Sequence, residues 1–182
     1  MVRESRAARA VERRERRAAL TEPGPVLDAA ASFLGVRPRS IAETRRRLRH
    51  LGYPAELVDG VIDRLAEMGY LDDEAFSRAW VESRDRARPR GTAALRRELA
   101  LKGVAREVIA DVLDERNAGA PNADLAAAVA LLEGRRATLE READPSRRGQ
   151  KAYALLARSG FDPEVCRAAA ASLGEAGSVA DD

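Results

Sequence analysis

From Val26 to the C-terminal region, apolar residues recur at helical spacing, and no segment sustains the alternation of a half-buried strand. Breaks fall at Arg37-Pro38-Arg39-Ser40, Gly52, Gly69, Arg88-Pro89-Arg90-Gly91, Gly103, Pro121-Asn122, Pro145 and Gly160. They divide the chain into helices of about 10 to 20 residues, which predicts an all-α protein. In the segment from Ser40, Ile41, Thr44, Leu48 and Leu51 share one stripe, while Ala42, Arg46 and Arg49 share another. After Gly69, the expected core stripe is Ala75, Phe76, Ala79 and Trp80.

The pattern also repeats. Residues 37–52 read RPRSIAETRRRLRHLG and residues 88–103 read RPRGTAALRRELALKG, with eight of sixteen positions identical. The apolar frame continues: Leu57, Val58, Val61 and Ile62 match Val108, Ile109, Val112 and Leu113. A weaker third copy places Leu156, Gly160, Phe161, Val165 and Cys166 opposite Leu48, Gly52, Tyr53, Leu57 and Val58. Each unit reads as helix, arginine-rich turn, short helix, glycine stop, helix. One unit cannot bury its apolar face alone, so stacked neighbours must complete the core. The expected division is a frayed or disordered basic N-terminal extension (1–24), three-helix repeats at 25–69, 70–119 and 120–173, and a flexible C-terminal tail (174–182).

Charge adds a second repeat to the first. The net charge is only +2, yet 34% of residues are charged. Thirty of the 32 basic residues are arginine, the better planar fork for phosphate or carboxylate. Residues 37–53 carry six arginines against Glu43, and residues 56–74 carry seven acids against Arg64. Residues 84–106 carry eight basic groups against Asp85 and Glu98, and residues 107–124 carry five acids against Arg116. The second helix of each of these units is therefore basic and the third acidic. The arginines retained at matched places in the two copies mark a surface for a polyanion or for an acidic protein face. Residues 1–21 add seven arginines against three glutamates.

Other chemistry finds little support. His50 is the one histidine and Cys166 the one cysteine, so no metal cluster, nucleophile pair or intrachain disulfide is expected, and a reducing cytoplasmic compartment fits. No phosphate loop, secretory signal or membrane span is read. Gly69-Tyr70-Leu71-Asp72-Asp73 echoes a polymerase metal motif, but it lies between helices. There Gly69 ends one helix, and Asp72 or Asp73 caps the next. Cys166 sits on an apolar face and is read as packing.

RPRSIAETRRRLRHLGY, then VIDRLAEMGYLDDEAFSRAWVESR, then RGTAALRRELALKGV together resemble the RecX recombination regulators. The Gly-Tyr-Leu-Asp-Asp-x-x-Phe segment (Gly69, Tyr70, Leu71, Asp72, Asp73 and Phe76) carries the resemblance most specifically. Lys151 to Phe161 resembles the family's closing pattern, so the likeness runs from about Val26 to Leu173. The resemblance implies three tandem three-helix repeats stacked into an elongated, curved module. It also implies a regulator of DNA repair, recombination and the SOS response; the residues themselves offer no catalytic set or cofactor site, and a monomer is expected because no long exposed apolar face demands a dimer. Its partner would be the RecA–single-stranded DNA filament, with weaker contact to duplex DNA and none to membranes, and its main effect inhibition of RecA recombinase and ATPase. A stand-alone nucleic-acid-binding helical module is the alternative. From the duplication, the expected binding ridge is Arg37, Arg39, Arg45, Arg46 and Arg49 in the first unit. Arg88, Arg90, Arg96, Arg97 and Lys102 follow in the second, and Arg147, Arg148 and Lys151 in the third.

Overall fold

The computed structural model describes residues 2–175, and its described residues form eleven helices and no strand. In order they are α1 (Val2–Ala18), α2 (Gly24–Leu34), α3 (Ile41–His50), α4 (Ala55–Glu67), α5 (Asp73–Ala87) and α6 (Thr92–Leu101). There follow α7 (Arg106–Gly119), α8 (Ala123–Glu133), the single turn α9 (Arg136–Leu139), α10 (Pro145–Arg158) and α11 (Pro163–Glu175). The run α2–α3–α4 recurs as α5–α6–α7 and, with α9 inserted, as α8–α10–α11. No helix among the described residues is long and apolar enough to cross a membrane. Of the segment 174–182 expected to be a tail, residues 174 and 175 end α11 and the rest lies outside the described residues.

The chain forms two compact units. The first holds the residues up to Phe76 together with Lys102–Val104, and the second holds Ser77–Leu101 and the residues from Ala105 onward. In the first, Val26, Ala30, Leu48, Val58, Val61 and Ile62 form a core at most 2% exposed. In the second, Ala128, Leu132, Ala152, Leu156, Cys166 and Ala169 form another, also nearly closed to solvent. The matched leucines of the three middle helices, Leu48, Leu99 and Leu156, are all fully buried. Truncating any one to alanine removes about 2–5 kcal/mol, as the lost transfer free energy adds to that of the cavity left behind. Cys166 is buried with its Sγ 3.6 Å from the Phe161 carbonyl oxygen, and burial pushes its thiol pKa upward. It is a packing residue.

Local capping explains where the middle helices begin. Ser40 opens α3 with a reciprocal capping box: its Oγ accepts from the Glu43 N–H at 3.1 Å, and the Glu43 carboxylate accepts from the Ser40 N–H at 3.4 Å. The Ile41 N–H donates to Asp73 Oδ1 at 2.9 Å, and Asp73 begins α5. The second unit repeats this bond at the same separation of 32 residues: the Thr92 N–H, at the start of α6, donates to Asp124 Oδ2 at 3.0 Å. In both places a carboxylate from the next three-helix set satisfies an orphan N–H of the preceding middle helix. It also lies at the positive end of that helix.

A second contact repeats in the same register. Ser40 Oγ donates to the Lys102 carbonyl at 2.6 Å, and the Gly91 N–H donates to the Ser159 carbonyl at 3.1 Å. The copies differ, serine in one and glycine in the other, for a steric reason. A Cβ at Gly91 would lie 2.2 Å from the Gly160 carbonyl oxygen. Gly160 itself has φ +84° and lies against Ala94, whose backbone N would be 2.6 Å from an added Cβ.

Two elements depart from the sequence-based expectation. The basic extension, expected to be frayed or disordered, contains α1, and this helix rests on the first unit. Arg17 Nη1 donates to the Leu51 carbonyl at 3.3 Å and its guanidinium lies 5.4 Å from the Tyr53 ring centre. Leu51 stands where Lys102 stands in the next copy, so α1 occupies the place that an earlier repeat would hold. The stripe expected on α5 is also rotated. Phe76, Ser77 and Val81 are buried, whereas Ala75 and Ala79 are exposed. Trp80 sits at the flank of that face because its Nε1 donates to Glu98 at 2.8 Å and Arg84 covers its ring at 4.6 Å.

Two substitutions test these caps. Arg116, its side chain only 8% exposed, pairs with both Asp85 and Asp124. Asp124→Ala strips one partner from a buried guanidinium and the acceptor from Thr92, so chemical denaturation should show a loss of about 3 kcal/mol. Glu43 is held below the usual glutamate pKa: burial pushes it up, but Lys102 and the Ser40 N–H together outweigh that. A depressed carboxylate contributes stability above its unfolded pKa and loses it as pH falls through the folded one. Glu43→Gln should therefore be less stable than the parent at neutral pH by about 1 kcal/mol, the gap closing as denaturation is measured below about pH 4.

Candidate nucleic-acid interface

The Gly-Tyr-Leu-Asp-Asp segment is architectural. Gly69 takes φ +74°, and Leu71 and Phe76 enter the core at 2% and 5% exposure. Asp72 Oδ1 accepts from the N–H groups of Glu74 and Ala75 at 2.8 and 3.0 Å, so it caps α5 while Asp73 caps α3. Desolvation pushes the Asp73 pKa up, with the Ile41 N–H opposing it. The two carboxylates thus face different helix ends. No metal-holding group of histidine, cysteine or acidic residues occurs among the described residues. Tyr70 is exposed.

The thirteen basic ridge residues divide by what already neutralises them. In the first unit, α4 supplies Asp59, which accepts from Arg45 Nε at 3.0 Å and from Arg49 Nη2 at 2.9 and 3.1 Å. Arg37 lies 3.4 Å from Glu43, and Lys102 Nζ lies 2.9 Å from the same carboxylate. Arg39 stacks on Phe33 at 4.2 Å, and burial, reinforced by Arg37 and Arg47, pulls its pKa down. Arg46 is exposed with no ion-pair partner among the described residues. Along the short helix α3, basic and acidic side chains therefore meet each other instead of standing as separate faces.

The second unit differs because its sequence does. The position matching Asp59 is Ala110, so Arg96, the counterpart of Arg45, has no acid to meet. Arg96 and Arg97 are both exposed without an ion-pair partner among the described residues. They edge a hollow of about 760 Å³ that also includes Asn117 and Phe161. Arg88 is likewise exposed and unpaired among the described residues. Arg90 lies 3.7 Å from Glu98. Glu98 replaces Arg47 of the first copy and accepts from Arg84 at 2.7 Å. In the third set, Arg147 lies 3.7 Å from Asp144, Arg148 donates to the carbonyls of Glu142 and Ala143, and Lys151 pairs with Glu142.

Of the thirteen ridge residues, Arg46, Arg88, Arg96 and Arg97 are exposed without an ion-pair partner among the described residues, and Arg135, which sequence reasoning left off the ridge, is in the same state. Arg135 belongs to the inserted α9 region and falls outside the repeat frame, so the duplication could not mark it. The signal that separates Arg96 from Arg45 was present, as the exchange of Asp59 for Ala110, but it becomes informative only once α4 is seen to face α3.

The fold and surface define an all-α protein of repeated three-helix domains with an arginine-rich face. The family models for the first and second three-helix domains of RecX match residues 27–65 and 72–113. Regulatory protein RecX of Mycobacterium avium is 37% identical over 142 residues, covering 78% of this chain and 80% of the relative. That of Prosthecochloris aestuarii is 33% identical over 143 residues, covering 78% and 88%. The chain belongs to the RecX family of regulatory proteins. Its fold is similar to the crystal structure of RecX from Lactobacillus salivarius, with a TM-score of 0.72 at 17% identity over 84% of this chain and 97% of that one. A second crystal structure of regulatory protein RecX gives a TM-score of 0.66 at 21% identity, over 79% and 68%.

The uneven neutralisation predicts uneven mutational effects. Arg96→Ala with Arg97→Ala should weaken single-stranded oligonucleotide binding about tenfold and lower the salt slope by about 1.4, or about 0.7 for each phosphate no longer neutralised on a single strand. Arg45→Ala with Arg49→Ala should change it less than about threefold, since those charges already sit on Asp59. Fluorescence anisotropy across a salt series measures both.

Proposed function

We propose that this protein binds a RecA–single-stranded DNA filament and modulates it, mainly by inhibiting RecA's ATPase and recombinase activity in DNA repair and recombination. It acts as a monomer in the cytoplasm and without chemistry of its own. Membership of the RecX family supports the regulatory role. The observation that carries the surface is the exposed, unpaired Arg96–Arg97 pair on α6. Guanidinium groups with no internal acid keep their full capacity for phosphate or carboxylate, and a nucleoprotein filament offers both. Three-helix domains with equivalent turns also suit a partner that is itself periodic.

The test uses the cognate RecA. Sub-stoichiometric protein should lower its DNA-dependent ATPase, and Arg96→Glu with Arg97→Glu should need about tenfold more protein for the same effect. An ATPase unchanged by the parent protein rejects the filament reading. Tight, strongly salt-dependent DNA binding in the absence of RecA, with no effect on RecA, would favour the stand-alone nucleic-acid module instead.

A further inference from the structure

Within the second unit, the end of α5 and the Arg88-Pro89-Arg90 turn face α8 and α10 across a cavity of about 610 Å³. Leu131 of α8 and Leu155 of α10 give it an apolar lining, while Arg88, Arg90 and Arg135 give it a basic one. Arg88 and Arg135 have no ion-pair partner among the described residues. The Arg90 Nε is shielded from solvent and makes no hydrogen bond, its nearest acid being Glu98 at 3.7 Å. The one acid on the lining, Asp85, does not oppose an incoming anion, because Arg116 grips both its oxygens at 2.9 and 3.0 Å. The site therefore combines free guanidinium groups, a sheltered donor without an acceptor and apolar side chains.

That combination selects among anions. No aromatic residue lines the cavity, so a nucleobase would find no ring to stack on. Leucine side chains beside arginine forks instead suit a chain that alternates carboxylates with an apolar side chain. We propose that this cavity is a docking site for an acidic peptide segment of a partner protein. The peptide's carboxylates meet Arg88, Arg90 and Arg135, and one apolar side chain lies against Leu131 and Leu155. This inference rests on the cavity and not on the filament reading.

The experiment uses the full chain and a short fluorescent peptide of aspartates and glutamates around one central leucine, followed by anisotropy at physiological salt. Saturable binding is expected, weakened about tenfold or more by Arg135→Glu and several-fold when serine replaces the peptide's leucine. Arg135 is exposed, so helical circular dichroism should be unchanged, and Arg88→Glu serves as a second variant should the first not fold. Excess oligothymidine should leave the peptide bound. Absence of binding, indifference to Arg135→Glu or to the leucine, or displacement by oligothymidine would each overturn the proposal, the last by making the cavity part of a nucleic-acid surface. Because neither RecA nor its ATPase enters the measurement, its outcome is separable from that of the filament test.

Discussion

The architecture depends on a carboxylate that caps a helix it does not belong to. Asp73 and Asp124 stand at the starts of α5 and α8, yet they accept from the first N–H of α3 and α6. Each bond spans 32 residues and fastens one three-helix set to the next by a charge-assisted contact to a helix N-terminus. These two middle helices, α3 and α6, have only ten residues each, too short to be stable in isolation. Their ends must be held from outside, and the following repeat supplies the group. This explains why two adjacent aspartates are needed after Gly69: one caps its own helix, the other caps its neighbour's.

Charge placement follows from the same geometry. A short helix rich in arginine between two longer helices will find its acids on whichever neighbour lies alongside. In the first unit that neighbour carries Asp59, which takes Arg45 and Arg49. In the second the matched position is alanine, and Arg96 and Arg97 remain exposed. The difference between Asp59 and Ala110 is thus enough to leave Arg96 without the partner that its counterpart Arg45 has. The difference is cheap for the fold, because exposed ion pairs contribute little stability, whereas an unpaired guanidinium group alters the local field.

The N-terminal helix shows how a repeat array can be closed. The turn after α3 presents a carbonyl and a left-handed glycine that, in the next copy, is covered by the start of a preceding middle helix. Two residues of α1 cover it here: the Arg17 guanidinium lies on the Leu51 carbonyl and near Tyr53, and Arg14 lies against Gly52. A stack needs such a cap wherever repeats end. Arg17 therefore has a structural use that composition alone would assign to a solvated tail.

The helical spacing, the glycine stops and the duplicated Arg-Pro-Arg turn are local properties, so the all-α class, the three-helix units and most of the core were legible in the chain. Leu48, Leu99 and Leu156 could be matched by register, and register is what burial follows in a helix. Asp72 as a cap was equally legible, since it acts within three residues. What the chain could not reveal is which charges meet across elements. Asp59 read as a member of an acidic helix and Asp73 as a candidate cap of its own helix, yet Asp59 neutralises Arg45 and Arg49 and Asp73 caps α3. The face of α5 was misjudged for the same reason, as Trp80 answers to Glu98 eighteen residues away. An ion pair or a cap depends on distances of about 3 Å between groups remote in sequence, and only the packed structure sets those distances.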